Sequence, residues 1–292
     1  MRSRINGLNA AVSVLCALGL TTLSACEQSV VRLDPLTVDG RDGGGKPLSY
    51  DTLMRIGAAS HASGDLGTAV GLYRRAAAVA PISPAPFVAA GNTLMEMGKT
   101  DEAIIAYNSA LDRTPGDPEA LRGLGRAYLM TGKPELAGGP LGLAYKENPN
   151  DPKLLEIIGV ADDFSGQHEE AQARYRRGLE LRPHDPGLSL DLALSLAITG
   201  NYAEAEAILG PIAMAVNASP RERQTLALIY GLQGNVPQAE RFAALDLAPQ
   251  AVQRNLAYYD TLRRLTPEAR ARAIQSIVTR PSSGPTTVNP PA

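Results

Sequence analysis

The chain has 292 residues and a formal net charge of −2; 44% of it is hydrophobic, 20% charged and only 4% aromatic, with no tryptophan. Large side chains are too few for one thick globular core, and alanine and leucine outweigh β-branched residues, which favours packed helices over sheet. A near-neutral chain with no Lys/Arg block longer than a pair has no electrostatic footprint for nucleic acid, and two cysteines, Cys16 and Cys26, provide neither a disulfide framework nor a cysteine-based metal site for the remainder.

Residues 1–25 read as a signal peptide: Arg2 and Arg4 precede the apolar run Ala10 to Leu20, which is too short to span a bilayer, and small residues follow. Leu23-Ser24-Ala25-Cys26 resembles the lipobox of bacterial lipoproteins. That resemblance implies cleavage before Cys26, its acylation as the new first residue, and a lipid-anchored mature protein. Several acyl chains hold where one would be marginal. By resemblance to enterobacterial sorting, Glu27 in place of Asp implies the periplasmic face of the outer membrane. Residues 26–48 are polar and glycine-rich and are expected to form a flexible tether. Within them Gly40 to Lys46 has the spacing of a phosphate-binding loop, but Pro47 replaces the Ser/Thr that would hold Mg²⁺, so the segment is assigned to the linker.

A period of 34 residues runs through 49–250. Gly64, Gly98, Gly132, Gly166, Gly200 and Gly234 keep that spacing, and Ala69, Ala103, Ala137, Ala171, Ala205 and Ala239 follow each by five. Four residues after the first five alanines stand Tyr73, Tyr107, Leu141, Tyr175 and Leu209. Ser49, Ser83, Asp117, Asp151, Asp185 and Ser219 share one phase, and proline follows five of them, which predicts an N-cap and first helical residue. The periodic glycine then ends the first helix in a left-handed conformation. In-phase Gly57, Gly91, Gly125 and Gly159 predict close helix approach, since a mid-helix glycine costs about 1 kcal/mol.

Position by position this resembles the tetratricopeptide repeat: Phe87, Ala90, Gly91, Leu94, Gly98, Ala103, Tyr107, Ala110 and Pro115 stand where that motif's consensus residues fall. The expectation is an all-α superhelical solenoid of about six helix-turn-helix repeats. Gly138-Gly139-Pro140 predicts a late start or kink in the third repeat's second helix, and Gly210-Pro211 does the same in the fifth. Residues 251–278 are expected to supply a capping helix carrying Val252, Leu256, Tyr259, Leu262 and Leu265, then a short helix from Pro267 to about Val278. The tail of residues 279–292 has little to bury and is expected to be disordered.

The residue types that carry chemistry do not fall into catalytic or metal-binding patterns. His61, His168 and His184 fit neither HExxH nor an i, i+4 zinc pairing and are expected to face solvent or lie in loops. Adjacent Asp162 and Asp163 point about 100° apart on a helix. A non-enzymatic protein without cofactor, metal or small-molecule substrate is expected. The resemblance implies a binding groove on the first helices, lined by Met54, His61, Val88, Asn92, Met95, Arg122, Arg126, Leu129, Lys153, Leu190, Leu194, Leu228 and Leu232. That lining is basic and apolar first, then apolar, which suits a peptide or amphipathic helix with acidic groups. Met54 and Ala58 occupy two positions of the carboxylate clamp used by chaperone-binding repeats, which disfavours a chaperone cofactor.

The segments Pro220 to Gly231 and Arg254 to Tyr259 at the end of the repeats resemble the TadD family of tetratricopeptide-repeat lipoproteins. That resemblance implies an accessory role in assembling the Tad (Flp) pilus secretion apparatus, with the secretin or its assembly factors as partners and a pilotin role for the chain. Two other roles fit the same architecture, a type IV pilotin and a lipoprotein adaptor that recruits peptidoglycan hydrolases. If the groove is the binding face, charge reversal at Arg122 and Arg126 is expected to abolish assembly of the secretin complex without changing helical content.

Overall fold

The structure, a computed structural model, describes residues 47–278. The expected signal peptide, the anchor at Cys26, the segment Gly40 to Lys46 and the C-terminal tail lie outside the described residues. The described chain is helical throughout and divides into two compact units, residues 47–117 and 118–278.

The first unit holds two helical pairs: α1 (Tyr50–Ala62) with α2 (Leu66–Val79), and α3 (Ala85–Glu96) with α4 (Thr100–Leu111). Ser49 caps α1 by accepting from the Thr52 amide. The equivalent Ser83 does not cap α3: that helix begins at Ala85 behind Pro84, and the Ser83 hydroxyl is hydrogen-bonded to Tyr50 Oη at 3.1 Å. A tertiary partner has taken the oxygen that the local rule assigned to the helix start. Arg113 stacks over the Phe87 ring at 4.1 Å and donates from Nε to the Pro81 carbonyl, which fixes the end of α4 against the start of α3.

The second unit holds four pairs: α5 (Pro118–Met130) with α6 (Pro134–Glu147), α7 (Pro152–Phe164) with α8 (His168–Leu181), α9 (Pro186–Ile198) with α10 (Tyr202–Ala213), and α11 (Pro220–Gln233) with α12 (Val236–Ala243). Then come α13 (Pro249–Arg263) and α14 (Pro267–Val278). Asp151 and Asp185 accept first-turn amides of α7 and α9, and Ser219 forms a full capping box with Glu222 on α11.

All six periodic glycines have positive φ, between 69° and 91°. At each, the next residue's amide reaches back five residues to a first-helix carbonyl, as Lys99 does to Leu94 and Asn235 to Tyr230. This is the Schellman turn, and it satisfies the carbonyls that the helix end would otherwise leave unpaired. The expected late start of α6 does not occur. The helix runs unbroken from Pro134 through Pro140, which forfeits one bond near the helix start while Ala137, Leu141 and Ala144 remain on the core. Likewise α10 begins on time, with Pro211 in its last turn.

Within a pair, a small residue on the first helix receives a large one on the second. A Cβ built on Gly57 or Gly91 would lie 2.7 Å from Tyr73 or Tyr107, and one on Gly159 would lie 2.5 Å from Tyr175. In the third repeat Gly125 meets Leu141 in the same way, and the fifth holds buried Ala193 with Leu209; the sixth departs from the rule, with alanine at both positions, Ala227 and Ala243. No pair buries both faces of its own helices, so each leaves an apolar surface for its neighbour. The last pair is covered by α13, which buries Val252, Tyr259 and Leu262 and seats the Tyr259 ring on Gly231 of α11. The α14 helix turns away from that stack and lies against α7 and α9.

Candidate functional site

The first helices carry the residues assigned to a groove. In the first unit, Met54 of α1 is half-buried and packs on the core of its own pair. His61 Nε2 lies 2.9 Å from Glu96 Oε1 of α3, with both side chains substantially exposed. Asn92 is exposed, yet its Oδ1 accepts from Tyr107 Oη at 2.7 Å, so the hydroxyl of the buried ring fixes the amide's orientation. Val88 and Met95 are buried, at 5% and 9% exposure, and support this face from beneath.

In the second unit, Arg122 of α5 is committed to an intramolecular pair: its Nη1 donates to Asp151 Oδ2 at 2.5 Å, and the other oxygen of that carboxylate caps α7. Arg126 and Lys153 are exposed, and Leu129 is buried. The expected apolar stretch is not open surface. Leu190 and Leu232 are buried, Leu194 and Leu228 are partly buried, and all four belong to a core cluster that includes Ala271 and Ile274 of α14.

Two acids shape this face that sequence reasoning did not single out, Glu156 of α7 and Asp191 of α9. Burial pushes the Asp191 carboxyl up to about 7, reinforced by the negative charge of Glu156; Arg221 of α11, 3.7 Å away, opposes the shift only in part. Glu156 is raised first by burial and then by Asp185, while Arg126, Arg221 and Lys153 act against it. Glu156 was legible in the period, since it stands one repeat after Arg122. Asp191 was not, because its burial depends on the neighbouring first helices.

One histidine departs from expectation. His61 is partly exposed and His184 lies in an exposed turn with φ of 67°, but His168 is buried at the start of α8. Its Nδ1 lies 2.7 Å from Asp163 Oδ1, which also accepts from Ser195 Oγ at 2.8 Å, while Tyr175 Oη donates to Asp163 Oδ2. A carboxylate that carries three partners gathers these side chains into one polar knot. Although Asp, His and Ser are together, the serine hydroxyl points at the carboxylate and not at an imidazole nitrogen, so the geometry is not that of a base-activated nucleophile. Among the described residues no group of three or more His, Cys, Asp or Glu is placed to hold a metal ion, and no helix is long and apolar enough to cross a membrane.

Two stretches, residues 88–152 and 165–229, match family models described as tetratricopeptide repeat. No curated protein matches the sequence. Among solved structures, a tetratricopeptide repeat protein from Parabacteroides merdae superimposes with a TM-score of 0.63 at 19% identity, over 77% of this chain and 89% of that one. PilW, described as a widely conserved type IV pilus biogenesis factor, gives 0.60 at 17% identity, over 67% of this chain and 91% of that one. The pilF protein of Pseudomonas aeruginosa gives 0.54 at 18% identity, over 78% and 97%. At these identities the likeness is one of fold. Periodic glycines in Schellman turns, small-to-large packing in the first four pairs and both sequence matches agree: the fold is the all-helical tetratricopeptide-repeat fold.

Proposed function

We propose that this chain is a non-enzymatic, lipid-anchored scaffold of the TadD kind, which holds the secretin or an assembly factor of a Tad (Flp) pilus apparatus at the periplasmic face of the outer membrane, as a pilotin would. The carrying observation is the face of the first helices in the second unit, where exposed Arg126 and Lys153 stand beside the half-buried Glu156. Repeats of this kind use such faces to hold other proteins. Likeness in fold to PilW and pilF supports a place in pilus assembly.

Arg122 is a poor probe of this face, because its reversal would set a glutamate against Asp151 and disturb the cap of α7. Arg126→Glu with Lys153→Glu changes two exposed side chains instead, and such changes usually move stability by less than about 0.5 kcal/mol. The double variant is expected to retain its circular dichroism spectrum while the assembled secretin complex recovered from membranes falls at least ~10-fold, the equivalent of losing ~1.4 kcal/mol of binding. Normal amounts of complex and normal pili, both in this variant and in a complete deletion, would reject the pilus role and favour the hydrolase adaptor.

The anchor has its own test. Mass spectrometry of the mature protein is expected to find Cys26 as the first residue, carrying its acyl groups. An unmodified Cys26, or cleavage elsewhere, would remove the membrane assignment.

A further inference from the structure

The last helix does not continue the stack. Every other second-position helix of the unit pairs with the first helix before it, whereas α14 follows α13 after Arg264, Leu265 and Thr266, keeps contact with it through the Tyr258 hydroxyl on the Ala273 carbonyl, and also lies against α7 and α9. Both are first helices, so α14 rests on the face that the repeats offer to partners. Three of its side chains are buried there: Arg270 at 7% exposure, Ala271 at 3% and Ile274 at 7%. Glu268 and Arg272 are exposed.

The arginine is held in an unusual way. Its guanidinium donates to main-chain carbonyls of Ile198 (2.8 Å), Leu262 (3.1 Å), Leu265 (3.2 Å) and Arg263 (3.4 Å), and to Tyr202 Oη (3.4 Å). Among the described residues no carboxylate lies within ion-pair distance of it. Its positive charge is met by the carbonyl ends of α9 and α13, where the helix dipole is negative. The receptor is thus largely backbone: Ile198 at the end of α9, Leu262 and Arg263 at the end of α13 and Leu265 in the link that follows it form an arginine-sized slot, followed by apolar contacts one and four residues further along the inserted helix. A site of this kind recognises a pattern and not the particular chain that carries it.

We infer that this face is a receptor for an amphipathic partner helix with arginine at one position, a small residue next and an aliphatic residue four on, and that α14 is its resident occupant, which such a partner displaces. This rests on the scaffold reading and names the chemistry of what the second unit holds. A linker as short as residues 264–266 keeps α14 at an effective concentration of the order of millimolar. A free helix must outcompete that, so the intact chain binds such ligands weakly until α14 is released.

The probe is a fluorescently labelled peptide of residues 266–278, titrated onto the purified full chain and onto the full chain with Arg270→Ala and Ile274→Ala. The variant is expected to bind the peptide saturably and at least ~10-fold more tightly than wild type, because its own α14 no longer competes. A peptide with alanine at position 270 is expected not to bind. In wild type, hydrogen exchange is expected to be at least ~100-fold faster in α14 than in α9. No saturable binding to the helical variant, equal binding by wild type, or α14 amides as protected as those of α9 would each overturn the inference. So would collapse of the variant's helicity, since α14 would then be part of the core. None of these results depends on a pilus component, so their failure leaves the scaffold role standing.

Discussion

Tyr175→Ala is expected to lower the unfolding free energy by about 3–5 kcal/mol, the usual cost of emptying a well-packed aromatic site. The ring is 1% exposed, its edge fills the space that Gly159 leaves on α7, and its hydroxyl is tied to Asp163 beside His168 and Ser195. The more informative experiment alters both sides of the contact. Gly159→Ala alone places a Cβ 2.5 Å from the ring, and overpacking of that kind costs about 1–3 kcal/mol. Tyr175→Leu alone leaves a partial cavity and loses the hydroxyl's bond. Combined, the two reproduce the alanine and leucine that the fifth repeat carries at Ala193 and Leu209, both fully buried. The double variant is therefore expected to be more stable than the sum of the single effects by at least ~1 kcal/mol, measured as a coupling energy in urea unfolding. Simple additivity would mean that the repeats do not share one packing rule.

The second large effect is a dependence on pH. Asp191 has its carboxyl pushed up to about 7 in the folded chain by burial beside Glu156, and an unfolded aspartate titrates near roughly 4. Between those values the folded state keeps a proton that the unfolded state has released. The neutral acid therefore favours the fold at low pH, and that contribution is lost as pH rises from roughly 4 through about 7. Asp191→Asn removes the titration while keeping size and hydrogen-bonding capacity. The variant is expected to match wild type near pH 4 and to be more stable by the order of 2–4 kcal/mol at pH 8, since each tenfold difference in proton affinity between the folded and unfolded chain is worth about 1.4 kcal/mol. Urea unfolding at both pH values measures it. A difference between variant and wild type that is the same at both would show that the Asp191 carboxyl titrates in the folded chain as it does in the unfolded one.

The repeat was legible because its signals are local. A glycine forced into a left-handed turn, a serine or aspartate before proline, and a small residue facing a large one are each set within one helical pair, and the period repeats them until chance is excluded. Where tertiary contacts take over, the sequence misled. Ser83 gives its oxygen to Tyr50, Pro140 lies inside an unbroken helix, and His168 is buried although nothing beside it in sequence requires that. The groove was legible as a list of helix positions but not as a surface, because the phase cannot tell that Met95 and Leu129 lie beneath it or that Arg122 belongs to Asp151. Arg270 escaped notice for the same reason. Its partners are backbone carbonyls of other helices, and a carbonyl has no letter in a sequence.

The bond from Arg270 to the Ile198 carbonyl joins residues 72 apart, in a fold whose packing, α14 aside, runs between helices one or two places apart in the chain. Contacts between neighbours form quickly, while one that must close a long loop waits until both of its ends have been built. Chain order then sets a sequence in time. During synthesis from the N-terminus, α7 and α9 are complete before the residues of α14 have appeared, so the face that α14 covers in the finished protein is first presented bare. A partner present while the chain is being made would meet an open site on every new molecule, and meet the covered one only afterwards.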